Sequence, residues 1–177
     1  MPSQAVPTIV VRDRFWRVLP PRWAHRPLSG AGAALRGGRF NEPGMPALYM
    51  SRQLMTAVAE YEQDLGTRPG TFCAYDVDTD GIADLTDSKT LAAIEAGPAV
   101  LEAPWKRIAF IEKKRPPTWD LVVDLIGRGV IGLLARSVQD ISGVNLVLWK
   151  WNDSPSRRVA AIDPETELPR NQSSWRD

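Results

Sequence analysis

Read only as apolar and polar positions, the chain breaks into short extended segments interrupted by a few helical ones. Ile9-Val10-Val11 and Phe15-Trp16-Arg17-Val18 are extended runs parted by the charged Arg12-Asp13-Arg14. Residues 19–39, LPPRWAHRPLSGAGAALRGGR, are rich in Pro and Gly and predict a long irregular loop. Loops of that length in a compact domain are usually functional or mobile. PALYM, residues 46–50, reads as a short buried strand. Ser51 then stands as the N-cap of a helix over 52–65, in which Leu54, Val58, Tyr61 and Leu65 recur at helical spacing. GTRPG, residues 66–70, stops it. TFCAYDVD (71–78) and GIADLTD (81–87) predict two strands joined by a turn at Thr79-Asp80-Gly81. Further helices are expected over 88–97 and 118–129, and strands over 129–135, 144–151 and 157–164, with RSVQDISG (136–143) as a connection. Strands outnumber helices and come in consecutive pairs, which predicts an α+β fold with a largely antiparallel sheet and flanking helices.

Composition narrows the class. The chain has 177 residues, room for one domain with a proper core, and its 44% apolar and 24% charged fractions exclude a disordered chain. Seven tryptophans against three tyrosines point either to a binding surface or to large core fillers, the second reading holding for most of the seven. No apolar run approaches a membrane span, and the first residues lack the basic-then-apolar pattern of a signal peptide. The single cysteine, Cys73, lies in an alternating strand, a buried and inert thiol. One Cys and one His also speak against zinc, so a cytoplasmic, metal-free protein is expected.

Charge is uneven although the net value is only +1. Residues 1–60 carry eight arginines, no lysine and three acids, whereas residues 61–104 carry nine acids against Arg68 and Lys89. An arginine-only segment suits bidentate recognition of phosphates. The acidic middle reads equally well as a solvated face. With no lysine-rich run and no long basic helix, direct nucleic-acid binding is not expected.

Candidate chemistry concentrates between Gly37 and Gln63. Gly37-Gly38 allows close backbone approach to a ligand just before Arg39. Tyr49 lies near a strand end, and Ser51 marks a helix start, where free backbone N–H groups favour anions. Glu60 and Glu62 flank the two sides of the apolar stripe, so helical geometry alone does not choose between them.

These residues also form a pattern. Trp16-Arg17, Leu28-Ser29-Gly30-Ala31-Gly32-Ala33, Gly37-Gly38-Arg39-Phe40-Asn41-Glu42-Pro43-Gly44, Leu48-Tyr49-Met50-Ser51 and a helical Glu60 follow in order. Late in the chain, LLARSVQDISGVNLVLW supplies Ser137 and Asn145. The sequence resembles the RES domain, a bacterial toxin family named for Arg, Glu and Ser, over residues 15–163. Residues 1–14 form an N-terminal segment, and 164–177 a loosely held tail. Trp16 departs from the tyrosine commoner before the first arginine.

The resemblance implies a fold similar to ADP-ribosyltransferase toxins and a site that cleaves the nicotinamide–ribose bond of NAD, here a substrate. It implies Glu60 and Arg17 as catalytic residues, with Arg39, Asn41, Tyr49, Ser51 and Ser137 binding the dinucleotide. The ADP-ribose would pass to a protein side chain, to phosphate or to water. It further implies a toxin–antitoxin module whose antitoxin carries a helix-turn-helix domain. A catalytically inactive module that keeps the fold for nucleotide or partner binding is the competing reading. The residue types suit the chemistry: arginines grip pyrophosphate, a tyrosine face stacks on nicotinamide, and a carboxylate stabilises positive charge at C1′.

Overall fold

The computed structural model describes residues 5–175; the ends of the N-terminal segment and of the tail lie outside that range. Six strands, β1 (Ile9–Leu19), β2 (Leu48–Ser51), β3 (Thr71–Asp84), β4 (Gly132–Arg136), β5 (Val144–Leu148) and β6 (Arg157–Ala161), form one sheet in the order β1-β2-β5-β4-β3-β6. Among the described residues every strand pairing is antiparallel except β3 with β4, which bears out the α+β expectation. The helices are α1 (Ala31–Arg36), α2 (Leu54–Glu62), α3 (Ser88–Ala93), α4 (Pro98–Leu101) and α5 (Pro117–Gly127).

β1 also pairs with β3, so the sheet curls back on itself. The two segments expected to flank a charged break are one strand. Arg12 and Arg14 stand directly opposite Asp78 and Asp76 of β3, and ion pairs at 3.0 and 3.7 Å let the charges stay in a solvent-facing row. Part of the N-terminal arginine excess is therefore matched by the acidic middle.

The two strands expected on either side of Thr79-Asp80-Gly81 are likewise one. Gly81 has φ +68°, which bends the chain without reversing it. Before the bend β3 pairs with β1 and β6; beyond it, Ile82–Asp84 run parallel to β4. The resulting interior holds Phe15, Leu48, Tyr75, Ile82, Leu146 and Leu148, all fully buried. Cys73 is buried there too, and burial raises its thiol pKa. A second core, with Leu133, Val147 and Trp149, lies on the outer face under Val122 and Leu125 of α5.

The joint between β1 and β2 is weak. Only Trp16 and Ser51 pair there, so the two strands part and leave a seam. Ser51 belongs to β2 and is buried; α2 begins after Gln53 with no side-chain cap, so the expected capping role of Ser51 is not met. The expected apolar stripe of α2 is also not its buried face. Leu54 and Leu65 are 36% and 72% exposed, while Thr56 and Ala57 are buried. Small side chains at these two positions let the helix lie close over the seam.

The long loop is less irregular than its composition suggests, since it contains a 3-10 turn (Pro21–Trp23) and α1. Residues 98–111, for which the pattern predicts nothing, form α4 and a π-helical turn, Arg107–Ile111. In the tail, Leu168 packs against the inner core, and the Asp163 carboxylate accepts the amides of Glu167 and Leu168.

Candidate active site

α2 carries Glu60 to the seam. On a helix of 3.6 residues per turn, Glu60 lies about 40° from the buried Thr56, whereas Glu62 lies about 120° away. The buried face thus turns Glu60 inward. Its Oε1 accepts two hydrogen bonds, from Ser137 Oγ and from Asn145 Nδ2, both at 2.6 Å. Among the described residues Oε2 has no such bond.

Each of those donors is itself held. Ser137 Oγ accepts the amides of Gln139 at 3.1 Å and Asp140 at 3.0 Å, so its one proton is left for Glu60. Asn145 Oδ1 accepts the Ser51 hydroxyl at 2.7 Å, which orients the amide with its nitrogen toward Glu60. Ser51 and Asn145 are also paired across β2 and β5. A carboxylate fixed from two sides on one oxygen presents the other in a defined direction.

Two clefts meet at this group. One, of about 170 Å³, occupies the seam and is lined by Trp16, Arg17, Tyr49, Ser51, Glu60 and Asn145 among others. The larger, of about 440 Å³, runs from Arg36–Phe40 past Tyr49 and Glu60 to Trp105 and Phe110. That volume falls in the range of small-molecule sites, about 300–1,000 Å³.

The Tyr49 hydroxyl accepts the Phe40 amide at 2.9 Å and donates to Asn41 Oδ1 at 2.8 Å. Burial raises its pKa, so it stays protonated, and its ring lines both clefts. Asn41 is fully buried, and its amide donates to the carbonyls of Ala33 and Met45, each at 2.9 Å. It ties the loop together beneath Tyr49, with no side-chain surface left for a ligand. Two indoles add to this: Trp119 Nε1 donates to Gly38 O and Trp149 Nε1 to Phe40 O, both at 2.8 Å. The room that Gly38 leaves is filled by Tyr49, whose hydroxyl would lie 2.5 Å from a Cβ there.

Arg39 follows that loop. Its guanidinium donates to Arg136 O at 2.9 Å and Leu101 O at 2.5 Å, stands 4.7 Å from the Phe40 ring centroid, and keeps a buried Nε–H with no partner. Burial lowers its pKa and the nearby Glu60 partly offsets this. Arg17 is placed differently. Strand alternation puts it on the inner face with Phe15 and Leu19, where it donates to Pro27 O at 3.4 Å and Ser29 O at 3.2 Å. It reaches the site through the open seam, between the small cleft and a third hollow of about 290 Å³. Burial lowers its pKa, with Tyr75 acting in the opposite sense.

The RES domain family matches residues 14–171. The chain belongs to the RES-domain family. No curated protein matches it. Among solved structures it is similar to a chain of the M. tuberculosis MbcT–MbcA toxin–antitoxin complex, with TM-score 0.60 and 21% identity over 89% of this chain and 87% of that one. At that identity the likeness is one of fold.

In this RES domain, Arg39, Tyr49, Ser51, Glu60 and Ser137 converge around one carboxylate, although Ser137 lies 77 positions from Glu60. Asn41 lies under the site, and Arg17 lies across the seam. Asn145, which the motif includes without a role, turns out to be the second donor to Glu60. Thr56 and Asp140 were not foreseen; the only sequence signal for Asp140 is its turn-forming neighbourhood, Asp140-Ile141-Ser142-Gly143. No helix among the described residues is long and apolar enough to cross a membrane, and no group of three or more His, Cys, Asp or Glu is placed to hold a metal.

Proposed function

We propose that this RES domain is the toxin of a toxin–antitoxin pair and that it cleaves the nicotinamide–ribose bond of NAD, transferring ADP-ribose to an acceptor. The observation that carries the reading is the Glu60 carboxylate: Oε1 is pinned by Ser137 and Asn145, and Oε2 is free where two clefts meet beside the Tyr49 ring.

Nicotinamide departs as a neutral group and leaves positive charge on the ribose, so an oriented, ionised carboxylate at C1′ lowers the barrier electrostatically. Oε2 is the oxygen available for the ribose hydroxyls or for orienting an acceptor. Tyr49 offers a ring face to nicotinamide. Arg39 holds positive charge beside Glu60, where it favours the anionic groups of the dinucleotide. Arg17 serves the dinucleotide from across the seam. Asn41 supports the site from below.

The hollow beside Arg17 is lined by Arg22, Arg26 and Arg36 with no acidic side chain. It borders the clefts through Arg17 and Arg36, so an acidic segment of an antitoxin seated there would compete with NAD.

The test is direct. Purified protein is incubated with NAD, and nicotinamide is measured by chromatography, with mass spectrometry of the second product in the presence and absence of phosphate. Release of nicotinamide with ADP-ribose, its phosphate ester or a modified protein supports the reading and names the acceptor. Saturable NAD binding with no turnover overturns it in favour of an inactive binding module.

A further inference from the structure

We propose that Thr56 and Asp140 are positioning residues for the Glu60 carboxylate, forming a clamp between α2 and the β4–β5 loop that fixes where Ser137 presents its hydroxyl. The inference rests on the reading of Glu60 as the reacting carboxylate.

Thr56 and Glu60 are one turn apart on the same face of α2, and both bond to the same loop. Thr56 Oγ1 donates to Asp140 Oδ2 at 2.6 Å, and Ser137 Oγ donates to Glu60 Oε1 at 2.6 Å. The two contacts are not independent, because the Asp140 amide is one of the two that hold Ser137 Oγ. Asp140 therefore faces both ways: its side chain grips the helix, and its backbone sets the serine.

The loop around it is closed on itself. Asp140 Oδ1 accepts the amide and hydroxyl of Ser142, at 3.2 and 3.0 Å. Gly143 N donates to Asp140 O, and Ser137 N to Gly143 O, both at 2.9 Å. Gly143 is pressed against the clamp: a Cβ there would lie 2.4 Å from Thr56 Cγ2 and 2.9 Å from Asp140 Oδ2. Thr56 is fully buried, so its hydroxyl has no water to turn to if Asp140 is removed. By contrast, the Val138 and Ile141 side chains of this loop are 59% and 96% exposed and hold it to nothing. Beside the Ser137–Glu60 bond itself, the Thr56–Asp140 bond is a second side-chain link from α2 that keeps the loop, and with it Ser137, in register with Glu60.

The experiment uses the full chain with four variants: Thr56→Val, which keeps shape but removes the donor; Thr56→Ser, which restores it; Asp140→Ala; and Asp140→Asn, which keeps an acceptor. Two quantities are measured, steady-state release of nicotinamide from NAD and amide hydrogen exchange at Gln139 and Asp140. Thr56→Val and Asp140→Ala are expected to lower kcat at least tenfold with KM changed less than threefold. Exchange at the two amides should quicken at least tenfold, and Thr56→Ser and Asp140→Asn should recover both. Wild-type kcat and wild-type exchange in Thr56→Val and Asp140→Ala overturn the clamp. So does a loss that Thr56→Ser and Asp140→Asn fail to recover, since a packing role alone would behave that way. If Thr56→Val does not fold, the half-exposed Asp140 pair decides. Should the wild type release no nicotinamide, the functional reading fails, while the exchange data still judge the clamp.

Discussion

Two glycines six positions apart in the motif, Gly32 and Gly38, should respond to alanine in opposite directions. At Gly38 an added Cβ would lie 2.5 Å from the Tyr49 hydroxyl, 2.7 Å from Asn41 Oδ1 and 3.0 Å from Tyr49 Cζ. Something must shift, and the ring is the member able to do so. Moving it breaks the bonds from Phe40 N and to Asn41 Oδ1, about 1 kcal/mol each, and the overpacking itself costs about 1–3 kcal/mol. Gly38→Ala should therefore destabilise the fold by about 3–5 kcal/mol. Gly32 lies in α1 with nothing within 4 Å of its Cβ position and no positive φ. Gly32→Ala should stabilise by about 0.5–1 kcal/mol through the reduced entropy of the unfolded chain. Urea unfolding followed by tryptophan fluorescence measures both on one scale. Because Tyr49 lines both clefts, nicotinamide release should fall in Gly38→Ala even under conditions where the protein is folded. A Gly38→Ala protein of wild-type stability would refute the argument that Tyr49 packing, and not ligand approach, requires glycine there.

Three further outcomes are expected. Glu60→Gln should cut nicotinamide release by roughly 100-fold or more, while Glu62→Gln stays near wild type; equal losses at equal stability would mean that the wrong glutamate has been assigned. Arg39→Lys, which cannot reach both Arg136 O and Leu101 O with a planar fork, should weaken NAD binding in calorimetric titration by about 1.5–3 kcal/mol, and unchanged affinity would remove Arg39 from the dinucleotide. Asp87 caps α3 by accepting the Thr90 amide at 2.9 Å, and that bond lowers its pKa below the ordinary 3.8. The stabilisation it gives is complete above the ordinary value and is lost as pH falls through the lower folded one, so Thr90 amide protection should drop on strong acidification in the wild type and change less in Asp87→Asn.

Much of this protein was legible from its letters. Alternation and helical spacing located all six strand regions, two of them as split pairs, and α2, α3 and α5, because burial on one face leaves a period in the sequence. The arginine, tyrosine, glutamate and serine of the site were named in advance by the motif they form. What the letters left open was decided by contacts distant in sequence. Arg12-Asp13-Arg14 looked like a break until Asp76 and Asp78 stood opposite and matched the charges. Thr79-Asp80-Gly81 looked like a reversal, but a glycine at positive φ can equally bend one strand between two partners, and only the partners choose.

Glu60 shows the same limit at the site. The apolar letters of α2 gave a stripe flanked by both glutamates, and the choice fell to Thr56 and Ala57, small residues that set the buried face only because β1, β2 and Gly143 come close there. Ser51 looked like a helix cap and became the group that orients Asn145, since the strand pairing of β2 with β5 sets the two side by side. The sequence by itself determined which chemical groups the chain carries and most of the elements that bear them. The tertiary structure decided which carboxylate oxygen is held and which is free, because a hydrogen bond depends on position to within a few tenths of an ångström, and that position is set by packing between segments 77 to 94 residues apart.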